Sequence, residues 1–296
     1  MTDRIPVKGV IVSGAATALA EFEPGDQIPS EYIAGLMGSN MLINCGVPVV
    51  NQKGFAGGAL AANVYGYDRW KAGAGGCNIT INATTGVFTH TSGPLVQAVE
   101  SPEAAWGVPL TLSVESPSGT ISVSIGGAAG SITAGAGRRS VTLTPTGSGN
   151  MVVQLTATGV TYSQPRLERG SVATLPEYRS AAIEFELCRR YVRKSYDIAI
   201  APLSVSGAGR EALGNAAATG LNNSGSIRWG GLMRTTPAVT IYSINVPAVG
   251  VVEQDNGSTV AASVVFIGQT GAQINWTNTV GRWGAFFQWL ADAEIY

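Results

Sequence analysis

The chain has 296 residues and a formal net charge of −1, and only 12% of its residues are charged, about half the ~25% that is typical of globular proteins. This balance excludes a strong electrostatic attraction to nucleic acid or to an anionic membrane surface. No apolar stretch reaches the ~20 residues of a membrane span, so we expect no membrane insertion. The 39 glycines suit short strands joined by tight turns.

Residues 1–40 show no hydrophobic period, and Pro24, Gly25 and Pro29 interrupt regular structure. We interpret this segment as an extended arm or a small docking element, with a short helix as an option at residues 30–36. Polar residues and a glycine interrupt its apolar stretch, which does not fit a secretory signal peptide. We therefore expect synthesis and assembly in a cytoplasm.

Between residues 41 and 178 the pattern changes to short alternating segments. These segments are rich in β-branched residues and are bounded by Gly, Pro, Asn or Ser. They are NITIN, LTLSVES, TISVSIG, RSVTLTP and MVVQLTATGV. Alternation places one face of each strand on a core and the other in water. Because no helices separate the strands, the pattern predicts an antiparallel jelly-roll sandwich rather than a parallel sheet.

Residues 179–296 begin with RSAAIEFELCRRYVRKSY, the one long charged segment with a helical period. We predict a linking helix in which Glu186 pairs with Arg190. Its basic end fits a solvated helix face, with a phosphate or nucleic-acid site as the alternative. Alternation and aromatic residues return after Asp197, which predicts a smaller β-rich C-terminal head domain. The expected apolar face of the helix comprises Ile183, Leu187, Cys188 and Tyr191.

Residues for catalysis or metal binding are scarce. His90 is the single histidine, and no GxSxG motif surrounds a candidate nucleophile. Cys45, Cys77 and Cys188 lack CxxC spacing, so we expect buried free thiols rather than a zinc site or a disulfide. We predict that the chain is not an enzyme and has no catalytic residues, no metal site and no cofactor.

Three segments, in order, carry a family resemblance. The first segment, residues 41–70, combines an Asn-containing strand, a turn and an Asp-Arg-Trp cluster, and it has the sequence MLINCGVPVVNQKG…YGYDRW. The second, residues 164–196, is QPRLERGSVATLPEYRSAAIEFELCRRYVRKSY. The third, residues 18–29, is ALAEFEPGDQIP. Together they resemble modules of bacteriophage tail fibres and related virion spikes. The matching positions are Asn44, Asn51, Gln52, Gly54, Tyr67, Asp68, Arg69, Trp70, Gln164, Leu167, Glu168, Gly170, Ala173, Thr174, Arg179, Glu186, Leu187, Cys188, Arg190 and Tyr191.

The resemblance implies a trimeric fibre or spike with a carbohydrate-binding-like jelly roll and a distal receptor-binding head. The expected partners are two further copies of the chain, tail, baseplate or capsid proteins that hold residues 1–40, and a host-surface glycan. The expected location is the virion, assembled in the host cytoplasm. A glycan-degrading spike enzyme and a purely structural capsid decoration or baseplate component are the alternatives.

The ligand site is expected after residue 197, where EQDNGST and INWTNTVGRW mix polar residues with tryptophan. An aromatic ring packs on the C–H face of a sugar while polar groups hold its hydroxyls, as small-ligand pockets require. We interpret Asp68, Arg69 and Trp70 as structural anchors at the sandwich rim, where Asp68 and Arg69 pair, with sugar contact as the alternative. The candidate ligand residues are Asp255, Asn256, Asn275, Trp276 and Asn278. For Trp276, packing in the core or at a trimer interface is the alternative.

Overall fold

The computed structural model describes residues 7–12, 15–21, 40–176, 179–214, 222–279 and 281–296. Strands β1 (Val7–Val12) and β2 (Ala15–Glu21) pair antiparallel. The described part of the predicted arm or docking element is therefore a hairpin. The short helix expected at residues 30–36 lies outside the described residues.

Eleven strands and a short 3-10 helix (Glu103–Ala105) make up the next part of the chain. Most of these strands are only five or six residues long, in keeping with the turn-rich sequence. They are β3 (Gly58–Leu60), β4 (Lys71–Ala72), β5 (Cys77–Ile81), β6 (Val87–Ser92), β7 (Pro94–Val99), β8 (Leu110–Glu115), β9 (Ile121–Ile125), β10 (Ala128–Ile132), β11 (Arg138–Leu143), β12 (Met151–Thr156) and β13 (Val160–Arg169).

These strands form two antiparallel sheets with jelly-roll topology. One sheet has the order β10-β9-β12-β7-β4, and the other has the order β11-β8-β13-β6-β5-β3. Within them, the quartets β10-β9-β12-β7 and β11-β8-β13-β6 interlock as the two Greek keys of a jelly roll do. The predicted fold class, a mainly β protein with an antiparallel sandwich, is confirmed.

The core of the sandwich follows the alternation in the sequence. In β9, Ile121, Val123 and Ile125 are buried while Ser122 is exposed. Aromatic rings fill the centre, where Phe88 packs edge-on against Trp70 at 5.6 Å and stacks on Tyr162 at 5.2 Å between ring centroids. This packing contributes stability beyond the area that the rings bury.

The described residues of the C-terminal part form one helix and a further antiparallel sheet. The sheet has the order β14-β21-β18-β19-β20-β16, and β15 and β17 also pair with β21. Its own core contains Trp229, Trp276, Phe287 and Trp289. The elements are α1 (Ala181–Arg189), β14 (Val192–Lys194), β15 (Glu211–Leu213), β16 (Asn222–Arg228), β17 (Ala238–Tyr242), β18 (Val251–Glu253), β19 (Thr259–Gly268), β20 (Gly271–Thr277) and β21 (Ala285–Asp292).

The linking helix is shorter than the charged segment, and its predicted apolar face is confirmed for Cys188 and Tyr191, which are buried, but is wrong for Ile183. Helix α1 begins after the N-cap Ser180 and buries Glu184 and Cys188, while Ile183 is 55% exposed. The carboxylate of Glu184 is drawn inward because it accepts from the backbone N–H of Asn44 and lies 3.4 Å from the Arg179 guanidinium. A hydrogen bond to a distant part of the chain and an ion pair with the nearby Arg179 therefore override the local hydrophobic pattern.

The predicted pair of Glu186 with Arg190 is also wrong. Glu186 contacts Arg189 at 2.6 Å, three positions along, whereas Arg190 reaches Glu100 at 2.9 Å. Because the chain enters β14 soon after Arg189, Arg190 lies beyond the last helical turn and faces the jelly roll instead.

Candidate functional site

The Asp-Arg-Trp cluster is buried where the jelly roll meets the C-terminal part. Asp68 is fully buried and accepts from both the backbone N–H (2.6 Å) and Nε2 (2.7 Å) of Gln52. Burial raises the pKa of the Asp68 carboxyl to about 6. Gln52 Nε2 also donates to the Val192 carbonyl at 2.8 Å, so this cluster joins the sandwich to β14.

Arg69 pairs with Glu294 rather than with Asp68, which corrects the predicted pairing. The Arg69 backbone N–H donates to Glu294 Oε1 at 2.9 Å, and its guanidinium binds the other carboxylate oxygen. The two side chains are 1% and 0% exposed. The guanidinium also lies 3.5 Å from the centre of the Tyr191 ring, a cation–π contact that strengthens when it is desolvated.

Further contacts complete this buried contact region, which we call the junction. Trp70 Nε1 donates to the Asn44 carbonyl at 2.7 Å, which fixes the loop that carries Asn44 beside Glu184. The Tyr65 hydroxyl donates to the Ile295 carbonyl at 2.6 Å. Asp68, Arg69 and Trp70 are at most 1% exposed, so they present almost no surface to a sugar. The junction comprises Asn44, Gln52, Asp68, Arg69, Trp70, Glu184, Tyr191 and Glu294.

Two predicted ligand residues lie in the core of the C-terminal part. Trp276 and Asn278 are each 3% exposed, and Trp276 Nε1 donates to Asn278 Oδ1 at 2.8 Å. Gln254 Nε2 donates to the same oxygen at 3.2 Å. The segment that we predicted as a loop, residues 274–283, instead belongs to strand β20 as far as Thr277. Trp276 lies on the buried face of that strand. Trp276 is therefore a core residue and presents no open ring face to a ligand.

The other three candidates lie nearer the surface but do not converge. Asn275 is half-buried in β20, and its Oδ1 accepts from Gln273 Nε2 at 2.8 Å. Asp255 and Asn256 are exposed in the turn after β18, where Asn256 Oδ1 accepts from Ser258. Of the five predicted ligand residues, only these two neighbours share an exposed turn.

Trp283 is the exposed tryptophan beside that turn, and the sequence interpretation did not select it. Its side chain is 47% exposed and packs edge-on against Phe286 at 5.9 Å. The Asp255 backbone N–H donates to the Trp283 carbonyl at 3.2 Å, and the Arg210 guanidinium lies 4.8 Å from the Phe286 ring centre. We call Arg210, Asp255, Trp283 and Phe286 the Trp283 patch. The signal that separates the two tryptophans is alternation, since AQINW places Trp276 inward with Ile274.

A cleft of about 280 Å³ lies beside α1, but its charged groups are already engaged. Arg179 contacts Glu184, and Arg166 lies 3.2 Å from Glu168. Burial raises the pKa of the Cys45 thiol that lines the cleft well above its ordinary value. A thiol with a raised pKa is a poor nucleophile at neutral pH, so Cys45 is not an activated thiol.

The histidine and the cysteines have structural surroundings. His90 Nε2 lies 2.6 Å from the Gly93 carbonyl and Nδ1 lies 3.3 Å from the Tyr162 hydroxyl, and burial lowers its pKa. The three cysteines are buried free thiols. Among the described residues, no three His, Cys, Asp or Glu side chains are grouped to hold a metal ion. Over the same described ranges, none of the helices has the length and apolar character needed to span a bilayer.

Comparisons with known proteins leave the family open. No protein-family model matches the chain, and no curated protein matches it. A cycloisomaltooligosaccharide glucanotransferase from Paenibacillus sp., solved with cycloisomaltoheptaose, is similar at a TM-score of 0.22 and 10% identity, over 82% of this chain and 47% of that one. The chain thus spans about half the length of that structure, and a similarity at this level establishes neither fold nor activity.

Proposed function

We propose that the chain is a receptor-binding protein of a bacteriophage tail fibre or spike, and that it attaches the particle to a glycan on the host surface. The N-terminal arm holds the virion, through tail, baseplate or capsid proteins. The jelly roll and the junction form a stiff stem, and the C-terminal head meets the receptor. In this account the chain is not an enzyme.

The observation that carries the proposal is the spatial coincidence of the residues that resemble tail fibres. Gln52, Asp68, Arg69 and Trp70 come from one resembling segment, and Tyr191 comes from another more than a hundred positions away. They meet in the junction, where Arg69 stacks on Tyr191 and Gln52 bonds to the neighbouring Val192. The resemblance assigns these two segments to the start and the end of the jelly-roll module, and their contact in the junction agrees with that assignment.

The junction also suits a particle that pulls on its receptor. Its Arg69–Glu294 ion pair is buried on both sides, and it shares the contact region with a cation–π contact and several hydrogen bonds that join the two parts. Separation of the head from the stem would expose the Arg69 and Glu294 charges and the Tyr191 contact at once. The two parts are therefore expected to transmit force as one body.

The proposed assembly is a homotrimer. Only 12% of the residues are charged. Subunits that cover much of one another's surface need few charges to keep the remaining exposed surface soluble, so this composition suits a trimer. Light scattering on the purified chain at micromolar concentration is expected to give three times the mass of 30.4 kDa. A stable monomer under these conditions contradicts the proposed assembly.

The direct test of attachment uses purified full-length chain and bacteria that the virus infects. Saturating cells with the chain is expected to block later adsorption of virus particles, while resistant cells from which the receptor is missing bind no chain. Incubation of the chain with capsule or lipopolysaccharide from the same cells tests the enzymatic alternative. A glycan-degrading spike releases oligosaccharides with time, whereas a purely adhesive protein releases none. Failure to bind susceptible cells favours a decoration or baseplate component.

A further inference from the structure

The Trp283 patch has the physical character of a sugar-binding surface. Gly284 has a φ of +75°, in the left-handed region that favours glycine, at the turn between Trp283 and β21. Phe286, the second residue of β21, packs edge-on with the indole at 5.9 Å between ring centroids. The exposed Trp283 ring is therefore held against a neighbouring ring, and a side chain that is already held loses less conformational freedom when a ligand stacks on it.

The Phe286 ring that packs against Trp283 also contacts a cation, Arg210. The exposed Arg210 precedes β15, and its guanidinium lies 4.8 Å from the ring centre. Among the described residues no carboxylate forms an ion pair with Arg210. The adjacent Glu211 is already engaged, since it accepts from Trp289 Nε1 at 3.1 Å. Arg210 is thus a positioned donor fork whose geometry matches a carboxylate.

The remaining charged group of the patch limits the charge of the ligand. The Asp255 carboxylate faces the Trp283 backbone N–H at 3.4 Å, and it is exposed at the edge of the patch. A carboxylate at this place accepts hydrogen bonds from sugar hydroxyls but repels a strongly anionic group. A sugar carboxylate with a single negative charge can pair with Arg210, whereas a phosphomonoester, with close to two negative charges, is repelled more strongly by Asp255.

We infer that the Trp283 patch binds a carboxylate-bearing sugar residue, a uronic or sialic acid, of a host-surface polysaccharide. The pyranose stacks on Trp283, its carboxylate pairs with Arg210, and its hydroxyls donate to Asp255. This inference rests on the proposed function and names the receptor class and the site that the proposed function leaves open.

The test measures binding of the full-length chain to oligosaccharides of glucuronate, galacturonate and sialic acid, and to acidic polysaccharide extracted from susceptible cells. Each glycan is paired with its carboxyl-reduced form, which keeps the ring and the other hydroxyls. The unmodified chain is expected to bind at least one acidic glycan about tenfold or more tightly than the reduced partner, as a charge-assisted pair supplies. A phosphomonoester saccharide without a carboxylate is expected to bind less tightly than the acidic glycan, because Arg210 attracts it but Asp255 repels its second negative charge.

Substitutions assign the roles within the patch. Trp283→Ala is expected to weaken binding to acidic and reduced glycans alike by about ten- to a hundredfold, because stacking does not depend on charge. Arg210→Gln is expected to abolish the preference for the acidic form and to leave binding to the reduced form unchanged. The matched controls are Phe266→Ala, which removes an exposed aromatic ring from β19, and Arg228→Gln, which removes an exposed cation from β16. Neither control is expected to change binding.

The outcomes separate this inference from the proposed function. If the chain binds susceptible cells but shows no preference for acidic glycans, or if Arg210→Gln keeps that preference, the inference is wrong and the proposed function stands. If the chain binds no susceptible cells at all, the proposed function fails with it. Thermal melting of each variant verifies that it is folded, and Arg210→Lys, which retains charge without the planar fork, is expected to keep only part of the preference.

Discussion

Substitution of Glu294 by Gln tests the junction at its most sensitive point. The Glu294 carboxylate is fully buried, and its partner Arg69 is 1% exposed. The glutamine amide would keep the shape and a carbonyl acceptor for the Arg69 backbone N–H but would remove the negative charge. Arg69 would then remain as a buried cation held only by the Ala98 carbonyl and the Tyr191 ring.

The expected cost follows from the loss of one partner of a buried pair, which is about 3–5 kcal/mol. A domain is stable by only about 5–15 kcal/mol, so Glu294→Gln should remove a large share of the total. The double variant Arg69→Met, Glu294→Met removes both charges, and we expect it to be less destabilised than Glu294→Gln alone. The surface control Glu186→Gln breaks a pair in which Glu186 is 57% exposed, and its expected cost is below about 1 kcal/mol.

Urea unfolding followed by tryptophan fluorescence measures these costs, with all variants at one protein concentration because assembly shifts apparent stability. Tryptophans lie in both cores, so the fluorescence reports on the jelly roll and the head together. A cost for Glu294→Gln within about 1 kcal/mol of the surface control would refute the reasoning, since exposed pairs contribute no more than that. So would a double variant that is less stable than Glu294→Gln.

Two further predictions concern pH and the two tryptophans. Because the folded-state pKa of Asp68 is raised to about 6, above the unfolded value near 4, its contribution to the unfolding free energy is full below about pH 4 and is lost as the pH rises through 6. Asp68→Asn is therefore expected to flatten the profile between pH 4 and 6, and an unchanged slope contradicts the burial of this carboxyl. Trp276→Ala is expected to cost about 3–5 kcal/mol, against less than about 1 kcal/mol for the half-exposed Trp283→Ala, and equal costs in calorimetry would contradict their assigned environments.

The fold class was predictable because strand alternation is a local signal. Segments such as LTLSVES show by themselves which residues face a core, and their succession without helices indicated an antiparallel sandwich. The junction was not predictable in this way, since Arg69 and Glu294 are 225 positions apart and neither lies in a pattern that points to the other. The helix shows the same limitation of local patterns. Glu184 is buried because it accepts a hydrogen bond from Asn44, 140 positions away, whereas Ile183 beside it is exposed.

At the candidate site, composition alone does not distinguish a buried strand from an exposed turn. INWTNTVGRW reads as one polar, Trp-containing loop, yet it contains the end of strand β20 and then a turn. Trp276 falls on the inward side of the strand, and Trp283 falls in the turn before β21. Alternation in AQINW separates these two residues, whereas the contact of Trp283 with Phe286 and the approach of Arg210 require the folded sheet.

The adsorption-blocking experiment tests the central claim most directly. Susceptible bacteria are saturated with purified full-length chain and then mixed with virus, and free particles are counted over time. If the chain is the receptor-binding protein, adsorption falls in proportion to the chain bound, and the Trp283→Ala chain blocks at correspondingly higher concentration. Unimpaired adsorption on cells coated with the folded chain would contradict the account.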